Sequence, residues 1–251
     1  MRESEIRNEN CNAATGLPSG IIGIGHRTQP QRFTSTLSVE IMTTILCFGD
    51  SNTWGFIPGS DAERYPREVR YTGILQHALG RDFRIIEEGL NGRTTVWEDP
   101  LRKDRKGKSQ LPFLLESHAP LDLVTIMLGT NDLKHFFGLS VDDIAMCAGV
   151  LVEIVQQSQA GPGGIAPKVI LMAPAAVKDS SGSFGHKFDG AIEKSHEFPR
   201  AYQEIANSYG CNFFNAGEYA DGPIPDGVHL DAESHQRLGE ALAATIKGIL
   251  S

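Results

Sequence analysis

The chain has 251 residues, 40% hydrophobic and 22% charged, which is enough for one large hydrophobic core. A net charge of -8 and a sequence pI near 5.5 exclude a general binder of nucleic acid or of an anionic membrane, because such proteins carry a basic stripe. Cys11, Cys47, Cys147 and Cys211 stand far apart with no CxxC pair, which excludes a disulfide framework and a cysteine zinc site, and no apolar run is long enough to span a bilayer.

Residues 1–41 are polar and punctuated by Gly, Pro, Ser, Thr and Asn, and read as a flexible extension before a domain over 42–251. Their "GIIGIG" lacks the order of a dinucleotide loop, and they lack the layout of a secretory signal, so a cytoplasmic location is expected. From residue 43 apolar strands alternate with helical patterns. Strands are predicted over 44–48, 83–87, 123–128, 169–173 and 212–214, and helices near 72–79, 111–118, 141–158, 197–209 and 232–249. The last helix has Asp231 as its N-cap and apolar residues at helical spacing from Leu238 to Leu250. This alternation predicts an α/β fold, a flavodoxin-like three-layer α/β/α sandwich around a five-stranded parallel sheet. In such sheets ligands bind at the carboxyl ends of the strands.

Three of those ends carry a glycine and small polar residues: "GDSN" after the first strand, "GLNGRTT" after the second and "GTND" after the third. Ser51 is the candidate nucleophile, and it needs an adjacent base and an oxyanion site. The backbone amides of Ser51 and Gly92 and the side-chain amide of Asn131 are the candidate oxyanion donors. For the base, "PDGVHLD" places Asp226 three residues before His229, so the carboxylate can accept from Nδ1–H while Nε2 faces the serine. His135 has Asp132 at the same offset but lies beside the Asn131 loop, and the other histidines fall in the extension, in a polar loop or in helical patterns. Asp226, His229, Asp231, Glu233 and His235 form an acid-rich cluster without a metal-binding frame, so no metal is expected. Thr53 stands where a G-x-S-x-G elbow needs its second glycine, which excludes the α/β-hydrolase family. The basic run 102–108 contains an acid and a glycine and reads as a solvated loop.

The blocks "GDSN", "GLNG", "GTND" and "DGVH", in this order over residues 43–251, resemble those of the SGNH (GDSL-type) hydrolases, in particular the bacterial arylesterase and acyltransferase subgroup. The resemblance implies the catalytic set Ser51, Asp226 and His229 with the oxyanion donors Ser51, Gly92 and Asn131, which coincides with the reading from the residues alone. It implies esters of small acids as substrates, an acyl-serine intermediate, acyl transfer to alcohols in some relatives, homo-oligomers in others, and no cofactor. A carbohydrate acetyl esterase, a thioesterase or lysophospholipase, and a non-catalytic binding protein on the same fold are the alternatives. Trp54, Phe56 and Trp97 are candidates for an apolar acyl or aryl slot, and residues 177–198 read as a mobile cover over the site.

Overall fold

The computed structural model describes residues 42–178, 185–222 and 226–251; the extension expected over 1–41 and part of the expected cover lie outside them. Five parallel strands, β1 (Thr43–Gly49), β2 (Phe83–Gly89), β3 (Leu123–Met127), β4 (Lys168–Ala173) and β5 (Asn212–Asn215), lie in the order β2-β1-β3-β4-β5. The helices are α1 (Ser51–Trp54), α2 (Tyr71–Leu79), α3 (Gly107–His118), α4 (Val141–Gln156), α5 (Ala191–His196), α6 (Phe198–Tyr209) and α7 (Ala232–Leu250). The sheet is the flavodoxin-like arrangement expected from the alternation. Sequence periodicity missed α1 and α5, whose four and six residues are too short to show an apolar stripe.

The central strands are apolar throughout because both faces are covered, and their side chains divide by parity. Leu46, Phe48, Val124, Ile126 and Leu171 pack on one face with α4 and α6 residues such as Ile144, Leu151, Val152 and Tyr202. Ile45, Cys47, Leu123, Met127, Ile170 and Met172 pack on the other with Tyr71 and Leu75 of α2 and Leu238, Leu242 and Ile246 of α7. Asp231 caps α7 by accepting from the Ser234 amide at 2.8 Å, and Ser140 and Asp143 form a reciprocal capping box on α4.

This arrangement places the reversal of strand order at β1, which pairs in parallel with β2 on one side and β3 on the other. A crevice opens at the carboxyl ends of strands at such a reversal, and Ser51 is two residues past β1. The ends of β1 and β2 are closely stacked under α1: a Cβ on Gly89 would stand 2.1 Å from the Trp54 backbone nitrogen, so only glycine lets the short helix settle there.

The segment 177–198 differs from a simple cover loop. Its described part holds a 3-10 turn at Gly185–Phe188 and helix α5, and Val177, Phe188, Ala191 and Phe198 are buried in the core beside α4 and α6. Residues 179–184 of that cover lie outside the described residues. Among the described residues no helix is long and apolar enough to cross a membrane.

Candidate active site

Asp50 opens α1 by accepting from the Asn52 amide at 2.9 Å, which makes Ser51 the first helical residue, buried, with an amide that has no intrahelical acceptor. Its Oγ lies 2.9 Å from His229 Nε2, and His229 Nδ1 lies 3.0 Å from Asp226 Oδ2. Asp226 also accepts from the Val228 and His229 amides, both at 2.9 Å, and from the Gly59 amide at 3.1 Å. Burial alone pushes this carboxyl up, but the imidazole and those amides together outweigh it and hold the group down at about 2, so it is an anion throughout the neutral range. Oriented this way, His229 presents Nε2 as an acceptor toward the serine hydroxyl.

Two residues fix the histidine loop: Asn52, which the sequence did not single out, and Phe56, which it offered only as a pocket residue. Asn52 grips it on both sides, accepting from the Leu230 amide at 3.0 Å and donating to the Val228 carbonyl at 3.2 Å. Phe56 stacks on the imidazole with ring centroids 4.1 Å apart. A polar residue directly after the serine was the available signal for Asn52, but its partners are 176 and 178 residues away in sequence.

The Gly92 turn and the Asn131 turn meet above Ser51. Gly92 has φ +83°, a left-handed conformation that favours glycine. Asn131 Nδ2 donates to the Arg93 carbonyl at 3.1 Å and, at a long 3.4 Å, to Asp50 Oδ2. Arg93 is buried beneath both turns. It donates to the Gly49 carbonyl at 2.6 Å, to the Glu88 carbonyl and to Gln110 at 2.7 Å, and lies 4.3 Å over the Phe48 ring. Burial brings its guanidinium down to about 10. Asp132 receives the Thr95 amide at 3.1 Å and hydroxyl at 2.5 Å and thereby fastens the β2–α3 connection to the end of β3; burial pushes its carboxyl up to about 7.

A cavity of about 290 Å³ opens over these groups, lined by Ser51, Gly92, Asn131 and His229 with Phe56, Leu101, Phe136, Phe188 and Val228 as apolar wall. Trp54 and Trp97 do not line it. The Trp54 ring instead packs under the Arg64 guanidinium, 4.9 Å away, and Trp97 is 46% exposed. Of the three candidates Phe56 lines it, and the rest of the aromatic wall is supplied from more distant segments, by Phe136 after β3 and Phe188 before α5. The acid-rich cluster around His229 is dispersed: Asp231 is spent as the α7 cap, Glu233 pairs with Arg237 at 2.7 Å, and buried His235 accepts from the Tyr71 amide at 3.2 Å.

A serine hydroxyl bonded to an imidazole that is bonded to a buried carboxylate, beside backbone amides that find no acceptor among the described residues, is chemistry for acyl transfer. Residues 47–237 match the GDSL-like lipase/acylhydrolase family. The chain belongs to this family. Its structure is similar to that of the M. smegmatis aryl esterase, with a TM-score of 0.79 and 42% identity over 82% of this chain and 99% of that one. A carbohydrate acetylesterase from Sinorhizobium meliloti has the same TM-score of 0.79, with 42% identity over 82% of this chain and 99% of its own. The acetylxylan esterase of Xylanibacter ruminicola is 25% identical over 223 residues; the match covers 81% of this chain, which spans 43% of that relative's length. This GDSL-family protein is a carboxylic ester hydrolase with a small-molecule ester as substrate, and the reading as a non-catalytic binding protein is set aside.

Proposed function

We propose that this family member cleaves short-chain esters through an acyl-serine formed on Ser51, with His229 as general base and Asp226 orienting it. The Ser51–His229–Asp226 chain of contacts, 2.9 and 3.0 Å, is the observation that carries the reading. Nε2 takes the hydroxyl proton as Oγ bonds to the carbonyl carbon. The resulting oxyanion is received by the Ser51 and Gly92 amides and by Asn131 Nδ2, which gives up its long contact to Asp50. The C–O bond to the alcohol breaks as His229 returns the proton to the leaving oxygen. Water repeats the sequence on the acyl-serine, releasing acid and free Ser51. Asn52, Phe56 and Arg93 act by holding these parts in place.

The wall of Phe56, Leu101, Phe136, Phe188 and Val228 favours a compact apolar acyl or aryl group, and also supports capture of the acyl-serine by an apolar alcohol in competition with water. Residues 42–251 are the catalytic domain in this reading, with 1–41 an extension to it. Exposed Trp97, Leu101, Phe113 and Met146 support a homo-oligomer, and sedimentation as a monomer at high concentration removes that part. The free thiols Cys47, Cys147 and Cys211 support a reducing, cytoplasmic compartment.

The deciding test is covalent labelling with a fluorophosphonate. One adduct is expected, on Ser51, with loss of para-nitrophenyl acetate hydrolysis in step with labelling and none of either in Ser51→Ala. Hydrolysis at near wild-type rate by a folded Ser51→Ala variant removes the assignment.

A further inference from the structure

The basic run 102–108, expected to be a solvated loop, reaches the active-site cavity. Arg105 Nε donates to the Asn91 carbonyl at 2.9 Å, tying the run to the turn that carries Gly92. Arg102 lies against that same turn: a Cβ placed on Gly92 would stand 3.1 Å from Arg102 Nη1 and 3.4 Å from its Cδ. The Arg102 backbone amide donates to the Asp99 carbonyl at 3.2 Å, while its guanidinium makes no hydrogen bond or ion pair among the described residues. It is therefore an uncommitted, planar set of donors in the wall that also contains Ser51 and His229.

The charges around it point the same way. Arg102 and Lys134 line the cavity, and among its described lining residues Asp99 is the acid. The carboxylate of Asp99 accepts from Lys134 Nζ at 2.7 Å, both side chains being buried, so acid and ammonium offset each other and Arg102 is left as the net positive group. The Arg102 charge at the cavity mouth of a chain of net charge -8 attracts anions locally against the field of the whole molecule. The guanidinium fork matches a carboxylate in two parallel hydrogen bonds, which a lone ammonium does not.

We propose that Arg102 is a specificity residue that binds a carboxylate carried by the substrate, so that the preferred esters of this enzyme are anionic. The proposal rests on Ser51 as the nucleophile, because it places the anion beside the ester being cleaved. Being in the exposed part of the wall, Arg102 engages the body of the substrate, while the oxyanion is left to the amides below.

The test uses two matched pairs of esters. In para-acetoxybenzoate against its methyl ester the charge sits in the alcohol half; in monoethyl succinate against ethyl butyrate it sits in the acyl half. The expected result is a kcat/KM ratio favouring the anionic member of one pair, which identifies the half that Arg102 contacts. Arg102→Gln lowers that ratio roughly tenfold or more, as loss of one charge-assisted hydrogen bond does. Arg102→Lys restores part of it, and rising salt erodes the wild-type preference. Ratios unchanged in Arg102→Gln for both pairs overturn the proposal, as does a wild-type preference for the neutral member of both. Ser51→Ala is measured on the same esters: activity that survives it sinks the nucleophile assignment, whereas an unmoved ratio in Arg102→Gln sinks only the proposal for Arg102.

Discussion

Replacing Asp226 by Asn changes one atom's chemistry at a place where all four neighbours are donors. Oδ1 takes the Val228 and His229 amides at 2.9 Å each, and Oδ2 takes His229 Nδ1 at 3.0 Å and the Gly59 amide at 3.1 Å. An asparagine that keeps its oxygen on the first two turns its NH₂ toward the imidazole and Gly59. The ring avoids a donor–donor contact by moving its proton to Nε2, so that Nδ1 accepts from the new amide. Nε2 then donates to Ser51 and cannot take the serine's proton. This misplacement of one proton is expected to lower kcat by about 10⁴-fold, the loss that follows the same exchange in a serine triad, which corresponds to about 5 kcal/mol of barrier. Stability changes far less, by about 1 kcal/mol, because the orphaned Gly59 amide belongs to an exposed residue that water reaches. The assay is para-nitrophenyl acetate hydrolysis at saturating substrate, with thermal unfolding measured on the same preparation. A folded Asp226→Asn enzyme within tenfold of wild-type kcat would refute the role given to this carboxylate.

Asn131→Ala is expected to reduce kcat by roughly a hundredfold or more with little change in KM, since its hydrogen bond strengthens as the oxyanion forms; an effect confined to KM assigns it to ground-state binding instead. Burial holds His235 down at about 4, below its ordinary 6.5, so the unfolded chain takes up this proton first. Its contribution is complete above pH 6.5 and is lost as pH falls toward about 4, amounting to about 3 kcal/mol. Urea unfolding across that window is expected to show a steeper acid loss for wild type than for His235→Gln, and parallel curves contradict it. With vinyl acetate and benzyl alcohol in water, product analysis is expected to find benzyl acetate alongside acetic acid; free acid alone at high alcohol concentration leaves a plain hydrolase.

The sequence by itself determined the layers and the edge on which the site lies. Strands apolar on both faces, as in Ile45-Leu46-Cys47-Phe48, have to be covered twice, and strands alternating with helices have to run parallel, so the carboxyl ends collect on one edge. Ser51, Gly92 and Asn131 were legible because each follows its strand directly, and Asp226 with His229 because their offset of three is local. Tertiary structure alone decided what surrounds them. Asn52 reaches across 176 residues to hold the histidine loop, Arg93 finds the Gly49 carbonyl 44 residues away, and Phe136 and Phe188 supply the wall expected from Trp54 and Trp97. Those two tryptophans share the right composition and chain position, but the direction of each side chain is fixed by the backbone at that point: α1 turns Trp54 toward Arg64, and Trp97 lies partly exposed away from the cavity. The basic run is the same case reversed. Its residues look solvated in a one-dimensional reading, and contacts with a distant segment, Arg105 with the Asn91 carbonyl and with Thr94, bring Arg102 to the cavity. Local patterns encode which backbone a segment adopts, whereas contacts between segments far apart in the chain depend on how whole elements pack, and most of a pocket wall is made of such contacts.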